Sequence, residues 1–408
     1  MRIAFLTPEF VTEPTFSGGL ANYLLRTCLA LRQFGHDPAV FVLSKRGDSF
    51  FHRGIEVHRA QSRRPSVVAI ADTLTFGRFA YLLRIVSSAM VLAKAFRGSH
   101  GGNPFDIVQA ASYQATNLFI SRKLASVVRI SSFEPLMREA YEKKAGVAQR
   151  MVEWLELLAI RRADGVYAPS NFIAGKVPLA AKQPIKVIGP PFLLDTHDLD
   201  WSTYERHLEG KSYLLFFGSI GVLKGCKAIA EILEQVLSDN PELHFVFVGK
   251  TTRYQDQSMI DYIREKAGPV SDKVLWIDEV SHDALYPIIE KAKAIILPSR
   301  VDNLPNTCLE AMHFGKIVLG TRGTSFEEII DDGISGFLCL PDRPDSLLAA
   351  IRRILGLSQE EGERISQNAK ARLARLSPER VVPELICFYE SVLRCKDSAK
   401  RASLAKAF

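Results

Sequence analysis

Ser299–Gly315 reads S-R-V-D-N-L-P-N-T-C-L-E-A-M-H-F-G. It follows Ala294-Ile295-Ile296-Leu297-Pro298, a run short and β-branched enough for a buried strand. From Asn306 to about Phe314 the residues suit a helix, closed by Gly315. Pro305 suits the first helical position, where a missing N–H costs nothing. A loop that leaves a parallel strand and feeds a helix N-terminus is where α/β folds hold anionic ligands. Two carboxylates flank this helix start, Asp302 on the loop and Glu310 one turn in. Carboxylates accept paired hydrogen bonds from sugar and ribose diols, so the two acids suit different parts of an extended sugar nucleotide. A second reading stands beside it: Thr307-x-x-Glu310 has capping-box spacing, which accounts for Glu310 with no ligand at all.

The totals set the frame for that stretch. A chain of 408 residues is too long for one core, so two domains are expected. The six cysteines, Cys28, Cys226, Cys308, Cys339, Cys387 and Cys395, form no Cys-x-x-Cys and point to neither a zinc site nor a disulfide framework. A cytoplasmic protein is expected, with no signal peptide in Met1–Pro8 and no apolar run long enough to span a membrane. Residues 1–190 carry 25 Lys+Arg against 13 Asp+Glu, net +12; the remainder carries 52 − 25 = 27 against 45 − 13 = 32, net −5. That asymmetry suggests an anionic partner for the first half. No nucleic-acid motif is present, so nucleic acid is not expected. Between Arg53 and Arg97 the cations Arg59, Arg63, Arg64, Arg78, Arg84 and Lys94 interleave with apolar residues, against only Glu56 and Asp72. An anionic membrane surface is the candidate partner, and a core helix with solvated arginines is the alternative.

Along the chain, strand-like and helix-like segments alternate twice over. The first series places strands at Arg2–Thr7, Pro38–Leu43, Ile55–His58, Asp106–Ala111, Val127–Ser131, Gly165–Pro169 and Ile185–Ile188. Helices are expected after Gly18-Gly19, over Val67–Phe96, over Tyr113–Ala125 and over most of Pro135–Arg162. Gly189-Pro190-Pro191 ends this series, and 191–210 reads as a linker. The second series, 211–376, places strands at Tyr213–Phe217, His244–Val248, Val274–Ile277, Ala294–Pro298, Ile317–Leu319 and Gly336–Cys339. Residues 377–396 read as a last helix and 397–408 as a frayed basic tail. Repeated strand–helix units predict parallel, doubly wound sheets.

A second chemical feature lies in Phe216-Phe217-Gly218-Ser219-Ile220-Gly221-Val222-Leu223-Lys224-Gly225. A strand ends, three glycines follow and a helix is expected over Lys224–Leu237. Glycines let backbone N–H groups approach a phosphate closely. Lys224 sits badly beside a positive helix N-terminus unless an anion lies between them. A flexible turn with a solvated lysine is the plain alternative, and the spacing does not match a P-loop.

The two stretches together resemble the retaining family-4 glycosyltransferases (glycosyl transferases group 1), which carry Glu–seven residues–Glu where this chain has Asp302 and Glu310. Thr321–Phe337, Gly18-Gly19, Gly35-His36-Asp37 and Tyr167-Ala168-Pro169-Ser170 are similar to that family as well, in the same order along the chain. The resemblance implies a GT-B fold: two Rossmann-like domains facing across a cleft, the first for the acceptor, the second for a nucleotide sugar, and a last helix that returns to the first. It implies a hexosyltransferase that moves sugar from a nucleoside-diphosphate sugar to a glycan, lipid-linked saccharide or small glycoside with retention and no metal. Asp302 would then hold sugar hydroxyls and Glu310 the ribose. Asn303 would contact the donor, as would the backbone N–H groups of Leu304, Asn306 and Thr307, which would touch sugar and phosphate. Lys224, beside Gly218 and Ser219, would neutralise the departing diphosphate. Glu279-Val280 would edge the base, and Gly18-Gly19 would let the N-terminal loop close on the donor.

The chain departs from that family at three places. Ser219 replaces an arginine, for which Lys250, Arg300 and Arg322 are the candidate substitutes. Ser131-Ser132 stands where a histidine is common, and Asp302 is one methylene shorter than Glu. Other enzymes on this fold, such as a sugar-nucleotide epimerase or a phosphorylase, and a non-catalytic scaffold with a basic face are the competing readings.

Overall fold

Most strands of the first unit are followed by a helix because buried runs such as Pro38–Val42 are covered on both faces of the sheet. The computed structural model describes residues 1–14, 19–62, 79–140, 146–179, 184–194, 196 and 198–405; side chains are described for all of these except 137 and 400–405. Two units emerge: Met1–Leu193 with Leu376–Phe408, and Leu194–Arg375.

In the first unit the strands are β1 (Arg2–Thr7), β2 (Asp37–Ser44), β3 (Ser49–His52), β4 (Ile55–Gln61), β5 (Ile107–Ala111), β6 (Ser126–Arg129), β7 (Gly165–Ala168) and β8 (Ile185–Val187). Their order in the sheet is β3-β4-β2-β1-β5-β6-β7-β8. All neighbours are parallel except β3 with β4. The chain winds outward from β1 in one direction and then from β5 in the other, so the direction reverses between β1 and β5. Helix Gly19–Gln33 lays Tyr23, Leu24, Cys28 and Leu31 on the core that contains Phe5, Val127 and Tyr167. Helix Pro378–Ala405 belongs to this core through Val381, Leu385, Tyr389 and Val392. Its Tyr389 hydroxyl bonds Gln109 Oε1, and Tyr167 reaches the same oxygen at 2.8 Å.

Several expectations for this unit change. Residues 113–125 are not a helix: a single turn over Tyr113–Ala115 is followed by irregular chain. Gln114 and Ala115 take φ 61° and 50°, a left-handed conformation that no helix continues through. The sequence reading has no counterpart to β3; Arg53 and Gly54, with φ 49° and 77°, form the tight turn that pairs it with β4. Residues 397–405, expected to be a frayed tail, continue the last helix. Of the expected linker 191–210, residues up to Leu193 fall in the first unit and Leu194 onward in the second, where Asp200 N–H bonds Asp283 O at 3.0 Å and Leu208 is fully buried. Gly18 and the first part of the long helix expected over Val67–Phe96 lie outside the described residues; Ala80–His100 is its described helix.

The second unit runs through β9 (Ser212–Phe217), β10 (Leu243–Val248), a small hairpin of β11 (Arg253–Tyr254) and β12 (Gln257–Ser258), β13 (Val274–Ile277), β14 (Ala294–Ile296), β15 (Val318–Thr321) and β16 (Phe337–Cys339). Its main sheet is parallel in the order β13-β10-β9-β14-β15-β16. Here the winding reverses between β9 and β14. Helices start where serine oxygens receive backbone N–H groups, at Ser258, Ser281 and Ser358, the last with Glu361 as a full capping box. The helix expected over Lys224–Leu237 is broken into a turn at Val222–Lys224 and helices Cys226–Ala230 and Leu233–Asp239.

One buried acid in the first unit yields a test. Glu156, 3% exposed on helix Val147–Arg161, accepts from Gln114 N–H at 3.4 Å, and its Oε2 has no hydrogen-bond partner among the described residues. Burial, and then the nearby Glu134, push its carboxyl up to about 8. A carboxyl raised in the folded state contributes stability below its unfolded pKa, and that contribution fades as pH climbs through the folded value. Glu156→Gln should therefore gain on the wild type in denaturant melts between about pH 5 and pH 8.5; an offset that is the same at both ends would contradict the assignment.

Candidate active site

The reversal between β9 and β14 brings two loops together at the carboxyl ends of neighbouring strands, the crevice where open α/β sheets bind ligands. The first loop begins as β9 ends: Gly218 N–H bonds Val248 O at 2.9 Å, and Ile220 N–H bonds Lys250 O at 2.8 Å. It then makes the turn Val222–Lys224 and passes through Gly225 at φ 76°. A Cβ at Gly225 would stand 1.9 Å from Pro298 O, so only glycine lets this loop lie against the segment after β14. Arg300 N–H bonds Leu223 O at 2.9 Å and completes the seam.

The second loop carries Asp302 and leads into helix Asn306–His313. Pro305 is the N-cap, one position earlier than its sequence suggests, and no side chain caps that end. Thr307 lies inside the helix, so it is not the N-cap that the capping-box reading required. Glu310 is 3% exposed, far more buried than a surface cap. Ser325 Oγ donates to Asp302 O at 2.7 Å and anchors the loop from the following segment.

Across the seam, Lys224 Nζ meets Asp302 Oδ2 at 2.6 Å. The lysine side chain keeps 38% of its surface exposed and the aspartate 11%, so the pair sits at the mouth of the crevice. The family resemblance assigns these two side chains to different parts of a ligand; the structure pairs them with each other. Gly218 is adjacent to the helix start, since a Cβ there would lie 3.8 Å from Thr307 Cγ2. Asn303, Leu304, Asn306 and Thr307 therefore share one end of the sheet with Gly218, Lys224, Asp302 and Glu310.

Other expected residues lie farther along or elsewhere. Glu279 and the half-buried Val280 follow β13 at the sheet edge, two strands from β14's neighbour β9. Glu279 forms an ion pair with Lys250, a contact that sequence spacing does not reveal and that raises the lysine's pKa. Ser219 is exposed, and the strand-like bonds of Ile220 to Lys250 put these two residues side by side. Arg300 is committed to Asp342 at 2.8 Å and Arg322 to Asp332 at 2.6 Å. Gly19 is the first residue of helix Gly19–Gln33 in the first unit. Burial pushes the Cys226 thiol up to about 12 and Cys308 higher still, so neither offers a thiolate nucleophile.

This architecture is that of known sugar-transferring enzymes. Residues 201–372 match the family model described as glycosyl transferases group 1, and residues 18–191 match the glycosyl transferase 4-like domain. The alpha-D-kanosaminyltransferase of Streptomyces kanamyceticus is 23% identical over 252 residues, covering 60% of this chain and 64% of that enzyme. The chain thus spans less than two thirds of that relative's length. Among solved structures, a sucrose-phosphate synthase from Thermosynechococcus elongatus superposes with TM-score 0.74 at 16% identity, covering 97% of this chain and 99% of that one. Anabaena HepE in complex with UDP-glucose gives TM-score 0.65 at 18% identity, covering 98% and 100%. The fold is GT-B, and with both halves of the chain matched in order, this protein belongs to the group 1 glycosyltransferases.

Proposed function

We propose that the protein transfers a hexosyl group from a nucleoside-diphosphate sugar to a hydroxyl acceptor with retained configuration, and that the second unit binds the donor. The observation that carries this reading is the Lys224–Asp302 pair beside the uncapped start of helix Asn306–His313. A diphosphate carries more negative charge than one carboxylate, so it competes for Lys224 and meets the positive helix end at the same time. Asp302, released, accepts hydrogen bonds from the sugar's hydroxyls. Glu310, one turn into the helix, takes the ribose hydroxyls. The bond from the sugar's anomeric carbon to the phosphate oxygen breaks with its electron pair going to that oxygen. The acceptor oxygen bonds to the anomeric carbon and its proton passes to the leaving phosphate. Fixed positive charge that faces the oxygen where negative charge develops is the main source of rate. On this reading the charge is met by Lys224 and backbone N–H groups, with no metal required. Lys250, beside Ser219 and paired with the well-exposed Glu279, is the second cation on this reading. The HepE complex with UDP-glucose favours a uridine donor.

We further propose that the first unit receives the acceptor at an anionic membrane surface. Helix Val147–Arg161 exposes Val147 (71%), Met151 (41%) and Trp154 (59%) at helical spacing, with Arg150 and Arg161 exposed on the same helix. Helix Ala80–His100 exposes Met90 with Arg84 and Lys94. Apolar residues bordered by cations suit an interfacial helix. No helix among the described residues is long and apolar enough to cross a membrane.

The protein should bind UDP and UDP-glucose in calorimetry and release UDP only when an acceptor is added. Lys224→Met should lower kcat/KM roughly 100-fold or more, and Glu310→Ala should weaken donor binding about tenfold or more. Unchanged donor affinity in Glu310→Ala, with only a lower Tm, would return Glu310 to a structural role. Failure of every UDP-, GDP-, ADP- and dTDP-sugar to bind would overturn the reading as a whole. For the surface, flotation with phosphatidylserine vesicles at low salt should carry the wild type and lose the Trp154→Ala/Met151→Ala double variant; a wild type that stays at the bottom removes the membrane proposal.

A further inference from the structure

The first unit has its own reversal of winding, between β1 and β5, and a cavity opens at the carboxyl ends of those strands. Thr7, Gln109, Arg129 and Ser131 line it from the sheet, and Leu20 and Tyr23 line it from helix Gly19–Gln33. It is a shallow cleft: its enclosed space is about 10 Å³, about one water, and the rest is open mouth. Its position follows from topology alone: neighbouring strands whose connections depart in opposite directions leave a crevice at their ends.

Arg129 is the unusual member. It closes β6, and its parallel partner is Ala111, the last residue of β5. Register places Gln109, Ala111 and Arg129 on one face of the sheet, beneath the helix, and Ser131 follows two residues after β6. The arginine is 7% exposed, yet its Nε has no hydrogen-bond partner among the described residues. Among those residues no carboxylate lies within ion-pair distance of it. What it touches is the Tyr23 ring, with the guanidinium carbon 3.6 Å from the centroid. Tyr23 is itself held from behind: its hydroxyl is 2.8 Å from that of Tyr167 and 3.4 Å from Gln109 Nε2, and Tyr167 and Tyr389 converge on Gln109 Oε1. The phenols and the amide therefore satisfy one another and offer the guanidinium no acceptor. Stacking on an aromatic face compensates a buried cation only in part, and buried charges are otherwise paired.

We propose that Arg129 is the centre of an anion-binding site in the first unit, built to receive a carboxylate or a phosphate monoester on a sugar substrate. The guanidinium offers a planar fork that matches two oxygens of such a group. Tyr23 fixes the plane of the fork, and the hydroxyls of Thr7 and Ser131 stand at the same rim. The cleft has room for about one oxygen of the anionic group, so the group would meet the guanidinium at the mouth, with the remainder of the ligand outside and a hydroxyl available. That the ligand is a sugar, and the acceptor of the transfer, rests on the proposed function; that the site takes an anion rests on Arg129 alone.

The test uses the full chain and three probes of similar size: glucuronate, glucose 6-phosphate and glucose. The wild type should be stabilised in thermal melts by at least one of the two anions and not by glucose, and the responding anion tells carboxylate from phosphate. Arg129→Met should weaken that binding roughly ten- to a hundredfold, the loss of a charged hydrogen-bond pair, while a circular-dichroism spectrum and cooperative melt like the wild type's report a folded protein and UDP binding by the second unit stays unchanged. Arg129→Lys keeps the charge without the fork, and should keep the preference for anion over glucose at reduced affinity. Equal responses to all three probes in the wild type, or an anion response retained in Arg129→Met, would overturn the site. Should Arg129→Met not fold, a reduced anion affinity in a folded Arg129→Lys supports the site through the fork, and an affinity identical to wild type overturns it. A wild type that responds to an anion but binds no nucleotide would contradict the donor reading and leave this one standing.

Discussion

The pairing of β9 with β14 at the middle of the second sheet is the constraint on which the candidate active site depends. These strands are far apart in sequence, yet Ala294 and Ile295 sit in register with Leu214 and Leu215. Because the connections that leave them diverge, the loops after Phe217 and Pro298 meet at one end of the sheet. Gly225 lets the two backbones approach, and Lys224 is then 2.6 Å from an aspartate 78 positions away. With its lysine 38% exposed, this pair adds little to stability. Its effect is positional, since it holds the Lys224 ammonium against the loop that leads into helix Asn306–His313.

The first unit repeats the same geometric device between β1 and β5, and fills it differently. There the strand ends present a guanidinium and hydroxyls in place of a lysine–aspartate pair, and a network of Tyr23, Tyr167, Tyr389 and Gln109 props the arginine from behind. The last helix contributes Tyr389 to that network, so the end of the chain helps to shape a cavity formed near its beginning. Each unit thus places a cation, Lys224 in one and Arg129 in the other, beside its own switch point.

Much of the architecture was legible because buried parallel strands are short, apolar and β-branched; Val274–Ile277 in the sequence is β13 in the structure. The helix after Pro305 was legible from its closing glycine. Residues 113–125 misled because their apolar spacing is helical, whereas left-handed Gln114 and Ala115 turn the chain. β3 is short and depends on the turn at Arg53-Gly54 rather than on its own pattern. Residues 194–210 look irregular and polar, and what fixes them is contact with a distant helix near Asp283. Asp302, Lys224 and Glu310 could be named from the sequence, but the ion pair between two of them could not, since spacing carries no information on side chains that meet through a sheet. Arg129 gave only a weak signal: a cation between apolar neighbours in Val127-Val128-Arg129-Ile130, at a position whose register turns it inward.

The central claim is that Lys224 exchanges Asp302 for the donor's diphosphate at the start of helix Asn306–His313. A crystal structure with an intact UDP-sugar or another bound nucleotide sugar tests it most directly. The diphosphate is expected between Lys224 Nζ and the backbone N–H groups of Asn306 and Thr307, with Lys224 drawn off Asp302 and Asp302 facing sugar hydroxyls. A nucleotide bound elsewhere in the chain, with the Lys224–Asp302 contact intact at its present 2.6 Å, would contradict it.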